Sequence, residues 1–146
     1  MAASLLDLNA LIALLWAESE FHAATESWFR NNARKGWATS PLTQLGFVRV
    51  VCNPSVFRNA PHPAQALEVI EESTRHAAHE FWPHELTLAE AAAPFREHLQ
   101  GHQQIADVYL LGLTLHRKGR LITFDKALLS LASAAGMGHL VTLLMK

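Results

Sequence analysis

The chain has 146 residues and a mass of 16.2 kDa, with 50% hydrophobic and 17% charged positions, which suits one globular domain over 1–146 and excludes a disordered chain. Twelve Lys plus Arg against thirteen Asp plus Glu leave a formal net charge of −1, so no bulk positive field holds it to nucleic acid. The single Cys52 excludes an internal disulfide framework and fits a reducing compartment.

In chain order, Ser4 to Leu6 reads as a short buried strand and Asn9 to Ala17 as a helix. The apolar stretch Leu5 to Ala17 lacks a basic leader and is interrupted by Asp7 and Asn9, so it reads as core, not as a signal segment. No run reaches the ~20 apolar residues of a membrane span. The expectation is therefore a cytoplasmic protein with no membrane partner. His22 to Arg34 is helical, with Trp28 and Phe29 on one face, and stops at Arg34-Lys35-Gly36. Trp37 to Thr39 is a second strand. Ser40 then suits an N-cap and Pro41 the first helical position of a helix running to about Cys52, closed by Asn53-Pro54.

After a loop marked by Pro54, Pro61 and Pro63, a helix is expected over Ala64 to His79 and a strand over Glu80-Phe81-Trp82, ended by Pro83. Leu88 to Leu99 is helical, with Pro94 splitting or kinking it. Gly101 breaks the chain before a helix from Gln103 to Lys118. Leu121 to Phe124 is a strand, Lys126 to Ala135 a helix and Leu140 to Leu144 the last strand. Strands alternating with helices predict an α/β fold, a three-layer α/β/α sandwich with a mostly parallel central sheet.

Only three of the thirteen acidic residues are aspartates: Asp7, Asp107 and Asp125. Each lies in an apolar setting, whereas the ten glutamates fall mostly on solvated helix surfaces or in loops. Asp7 and Asp125 directly follow predicted strands, which places both at the carboxyl edge of a parallel sheet, where α/β proteins build their sites. Each also precedes a helix and so suits a plain N-cap. Asp107 is expected in the second turn of its helix, where a cap does not account for it and burial without a partner is costly. Three carboxylates on one edge repel each other unless a cation sits between them. Mg²⁺ or Mn²⁺ suits such a set, and the chemistry that follows is phosphodiester or phosphate hydrolysis.

Four segments carry a family resemblance: Leu5-Leu6-Asp7-Leu8-Asn9-Ala10-Leu11-Ile12, Ser40 to Val50, Ile105-Ala106-Asp107-Val108-Tyr109-Leu110-Leu111-Gly112-Leu113, and Gly119-Arg120-Leu121-Ile122-Thr123-Phe124-Asp125. Together they resemble the PIN domain family and, within it, the VapC-type toxins of bacterial toxin–antitoxin pairs, over essentially the whole chain. The resemblance implies a metal-dependent endoribonuclease with Asp7, Asp107 and Asp125 as catalytic and metal-binding acids and Mg²⁺ or Mn²⁺ as cofactor. It further implies an RNA substrate, a homodimer and a cognate VapB-type antitoxin. Asn9 and Thr123 match polar positions that orient a carboxylate or water. The family's second acid is missing from the helix opened by Ser40-Pro41; its place falls on Gln44 or Gly46, with Gln44 favoured. Glu85 and Glu90 are the nearest substitutes, although both also read as solvated charge. The missing acid supports an alternative, a PIN-fold module that binds RNA or antitoxin through a weakened or inactive site.

Arg117, Lys118, Arg120 and Lys126 flank the strand that ends in Asp125, and Arg49 follows the altered segment. Arg49, Arg120 and Lys126 are candidates for holding an RNA backbone, while Arg117 and Lys118 equally suit a solvated helix terminus. His76 with His79 and His98 with His102 have helical ligand spacing but no third soft ligand, so surface histidines are the better reading. Gly136-Met137-Gly138 follows a helix and reads as a turn, not a phosphate loop. A receiver-type domain requires paired acids after the first strand and an acceptor Asp after the third, and the chain has no aspartate between positions 8 and 106.

Overall fold

The computed structural model describes residues 2–145. Its sheet has five parallel strands in the order β3-β2-β1-β4-β5: β1 (Ser4–Leu6), β2 (Trp37–Thr39), β3 (His79–Phe81), β4 (Arg120–Thr123) and β5 (Val141–Leu143). The order reverses between β1 and β4, so the crevice at their carboxyl ends is the topological switch point of the sheet.

Strand alternation sorts the core into two layers. Leu5, Ala38 and Leu121 point to one face, while their neighbours Leu6, Trp37 and Ile122 point to the other. The Leu6 face is covered by α1 (Leu8–Leu15), α2 (His22–Asn32), α3 (Pro41–Val51) and α4 (Pro63–Ser73). The Leu5 face is covered by α5 (Leu88–Ala92), α6 (Ile105–His116) and α7 (Lys126–Ala134). Helices on both faces of a wholly parallel sheet make the expected α/β/α sandwich. Among the described residues no helix is long and apolar enough to cross a membrane.

Most boundaries follow local chemistry. Ser40 caps α3 in a reciprocal capping box with Thr43, with Pro41 at the first helical position. Pro94 ends α5, and the chain continues as a 3-10 turn over Ala93–His98. The turn after α7 has Gly136 at φ +75°, with the Met137 amide donating back to the Ala132 carbonyl, an ordinary glycine helix stop.

Two boundaries around β3 differ from expectation. The helix expected to reach His79 ends at Ser73, because the Trp37 amide donates to the Ala78 carbonyl and draws that segment into the sheet. Strand β3 consequently starts at His79. Trp82 adds one bond to the Thr39 carbonyl before Pro83, which has no N–H, ends the ladder.

Candidate functional site

Asp7 and Asp125 reach the switch point because each is the residue that converts a strand into a helix. Asp7 caps α1, its Oδ1 accepting from the Leu8 amide at 2.7 Å. Asp125 caps α7, its Oδ1 accepting from the Ala127 amide at 2.9 Å. The buried Thr123 hydroxyl stands between them. It donates to Asp7 Oδ2 at 2.7 Å and accepts from the Asp125 amide at 3.0 Å. Asn9 closes the arrangement from the first turn of α1, its Oδ1 accepting from the Phe124 amide at 3.2 Å and facing the Thr123 hydroxyl at 3.4 Å. Asn9 and Thr123 thus hold the two acidic turns in register.

Asp107 approaches from α6. Its position is a correction: Gly101 is followed by a 3-10 turn over His102–Gln104, so α6 starts at Ile105 and Asp107 lies in the first turn, not the second. The Gln104 side chain fixes that turn by accepting from the Gln100 amide at 2.6 Å. Asp107 therefore gains from the amino end of the helix, yet its half-buried carboxylate accepts no hydrogen bond from the described residues. Burial first, then the charges of Asp7 and Asp125, push its pKa up to about 6. Burial also raises Asp7, against the lowering effect of Thr123 and the Leu8 amide, with the charge of Asp125 adding to the rise. Asp7, Asp107 and Asp125 thus lie near enough for their charges to act on one another.

The third wall is α3, which presents Gly46 and Arg49 to a cavity of about 320 Å³ shared with Asp7 and Asp107. Gln44 faces away. Residues two apart on a helix differ by about 200° in direction, so Gln44 and Gly46 cannot both face the acids. The Gln44 amide donates to Thr39 Oγ1 at 2.9 Å, and that hydroxyl pairs with His79 Nε2 at 2.8 Å. Of the two positions where the missing acid falls, the structure places Gly46, and not the favoured Gln44, beside Asp7.

The remaining candidates separate cleanly. Lys126, exposed at the start of α7, stays at the acidic edge. Arg120 lies at the start of β4 and donates to the His139 carbonyl, so it occupies the opposite edge of the sheet and is no part of the cleft. Glu85 is held by Arg117 at 2.7 Å, and Glu90 is spent in the capping box of α5 with Thr87. His76 accepts from the Trp37 indole and His79 binds Thr39, so one ring nitrogen of each member of this pair is engaged within the fold. The sequence reading missed the segment Gln100–Gln104, which with Asp107 and Asp125 borders a second cavity of about 510 Å³. Its signal was present: three of the chain's five glutamines, with His102, fall immediately before the acidic helix.

The donor set fits a hard divalent cation of the Mg²⁺ type. Among the described residues no three acidic, imidazole or thiol side chains are grouped so as to hold a metal ion by themselves. Mg²⁺ does not require such a group, since it keeps several waters and binds through one or two carboxylates together with substrate phosphate. The unpartnered Asp107 carboxylate beside two further carboxylates is the negative charge that such an ion would neutralise.

Comparison with known proteins agrees with this fold. The PIN domain family model matches residues 4–134. Ribonuclease VapC39 of Mycobacterium tuberculosis (strain ATCC 25618 / H37Rv) is 40% identical over 131 residues, 90% of this chain and 94% of the relative. Ribonuclease VapC38 of the same strain is 40% identical over 129 residues, 88% and 89% of the two chains. Ribonuclease VapC44 of that strain is 34% identical over 144 residues, 96% and 99% of the two. With acids at the switch point of a parallel sheet and a family match over nearly its whole length, the chain belongs to the PIN domain family and is similar to its VapC ribonucleases.

Proposed function

We propose that this protein is the toxin of a VapBC-type toxin–antitoxin pair, an endoribonuclease that hydrolyses RNA phosphodiesters at Asp7, Asp107 and Asp125 with Mg²⁺ or Mn²⁺. The observation that carries the reading is the half-buried, unpartnered Asp107 carboxylate, raised to about 6 beside the other two acids at the switch point. The VapC ribonucleases that align along most of the chain support the same activity. A bound divalent ion supplies polarisation of the scissile phosphodiester and a water of lowered pKa. The chain's own part is positional. Thr123 and the Leu8 amide fix the plane of the Asp7 carboxylate, Asn9 fixes the turn that carries Asp125, and Arg49 stands ready for a backbone phosphate.

The same family reading supplies the partners and setting, namely RNA, a VapB-type antitoxin, a second copy of the chain and the cytoplasm. An apolar groove of about 430 Å³ on α3 and α4, with Leu45, Leu67 and Phe81 exposed, supports a protein partner on that side. A second reading, a module that binds without cutting, is favoured by Gly46, which leaves the α3 wall without a carboxylate. The deciding assay incubates total cellular RNA with antitoxin-free protein and Mn²⁺, beside an EDTA control and Asp7→Asn. Discrete fragments lost in both controls establish the nuclease. Folded protein that binds RNA without cutting it establishes the module.

A further inference from the structure

Asp107 borders two cavities, and their other walls differ in chemistry. Toward Asp7 the wall is apolar with one cation, formed by Leu42, Leu110 and Arg49. Toward Asp125 the wall is formed by Gln100, His102, Gln103 and Gln104, with no lysine, no arginine and no large apolar side chain. A cleft with a guanidinium on one side of its acids and amides on the other is asymmetric along the path of a nucleic-acid strand.

Amide and imidazole side chains offer donors and acceptors without net charge, the recognition chemistry for a base edge and a poor one for a phosphate. His102 and Gln103 are exposed, and neither side chain makes a hydrogen bond to the described residues, so their polar groups are free for a ligand. Gln104 differs, because its Oε1 is occupied by the Gln100 amide. That bond closes the loop and fixes the backbone that carries His102 and Gln103 before any ligand arrives, which lowers the ordering cost of binding. Duplex RNA hides its base edges in a deep, narrow major groove, so a wall of this kind requires an unpaired base.

We infer that the cavity walled by Gln100–Gln104 is a base-reading subsite, in which His102 and Gln103 recognise an unpaired RNA base next to the scissile phosphate. The inference rests on the ribonuclease reading for its substrate and adds the source of sequence selectivity.

The test compares the full-length protein with His102→Ala and Gln103→Ala. An RNA pool with a randomised single-stranded segment is cut in Mn²⁺, and the fragment ends are sequenced. The wild-type protein is expected to favour one base at one position flanking the cut, and each variant to lose roughly ten-fold of that preference. Wild-type cleavage without base preference, or variants that keep the wild-type preference, would overturn the inference. If no RNA is cut, the ribonuclease reading fails, and a second arm then decides the subsite alone. Fluorescence anisotropy in EDTA measures binding of oligo(A), oligo(C) and oligo(U). Discrimination among the three by the wild-type protein, lost in the variants, supports base reading; equal isotherms for all proteins refute it.

Discussion

Replacing Asp107 by asparagine should stabilise the metal-free protein while removing one of the proposed metal ligands. Burial and the charges of Asp7 and Asp125 move this carboxyl from 3.8 to about 6. Felt in full, that displacement costs the ionised native state roughly 3 kcal/mol. Asp107 is only half-buried, and solvent screening reduces the figure to roughly 1.5 kcal/mol. Asparagine also forfeits the attraction between a carboxylate and the amino end of α6, worth about 0.5 kcal/mol. A net gain of about 1 kcal/mol remains, or about 3 °C in melting temperature for a domain of this size. The gain has a defined pH window. The native wild-type protein holds this proton more tightly than the unfolded chain, so wild-type stability falls as pH rises from about 4 to about 6. Asparagine has no such loss. The advantage of Asp107→Asn should therefore be full near pH 7.5 and absent below about pH 4, where the carboxyl is protonated in both states. Thermal melts of both proteins in EDTA across that range measure it directly. Adding Mn²⁺ should invert the order, because an ion that binds only the native wild-type site stabilises it by mass action. A variant less stable than wild type in EDTA at pH 7.5 would refute the account of Asp107 as an unpaired charge.

Thr123→Val keeps the β-branch but removes the hydroxyl between Asp7 and Asp125; it should cost about 1–3 kcal/mol and at least about ten-fold in cleavage, with Thr123→Ser restoring both. Denaturant melts and initial rates separate the two effects, and a fully active Val variant would remove Thr123 from the site. Gly46→Glu should tighten Mn²⁺ binding about ten-fold by calorimetry, because position 46 lines the cavity of Asp7 and Asp107 and the three nearest atoms to its new Cβ belong to the flexible Leu8 side chain, which has to shift. Gln44→Glu should leave the Mn²⁺ titration unchanged, and the opposite ranking would mean that α3 is turned the other way. Gly112→Ala should lower stability by about 1–2 kcal/mol, since its Cβ would run into the backbone of Ala91 where α5 crosses α6. A chemical melt indistinguishable from wild type would show that the two helices have room to part.

The sandwich was legible because β1, β2, β4 and β5 are brief and carry buried apolar residues, and because several helix starts carry their own signal, as at Ser40-Pro41. What escaped was set by pairing between distant segments. Nothing local in Glu71 to His79 says that the helix stops at Ser73; the stop follows from Trp37 bonding to Ala78 across the sheet. The same limit applies to α3. Position 44 and position 46 both suit the missing acid by spacing, and only the packing of Thr43, Phe47 and Val51 into the core fixes which face meets the cleft. Arg120 illustrates a further limit. Nearness to Asp125 in sequence suggested nearness in space, but a strand advances about 3.3 Å per residue and carries the two to opposite edges.

For Asp7 and Asp125 the observed helix cap is compatible with the proposed role as an acid of the site, and the geometry explains why. A carboxylate has two oxygens, and each of these caps with Oδ1 alone. Capping fixes the torsion of the side chain, so the remaining oxygen is aimed by a backbone bond before any ligand arrives. In Asp7 that second oxygen is taken by Thr123, whereas in Asp125 it accepts no hydrogen bond from the described residues. Asp107 has neither a cap nor a hydroxyl partner. The three acids are therefore graded, from one anchored through both oxygens, through one anchored by a single oxygen, to one held only by its helix. The acid with the fewest bonds is the one whose charge is least compensated, which is why Asp107, and not the more deeply buried Asp7, is the place where removing a charge should most clearly raise stability in the absence of metal.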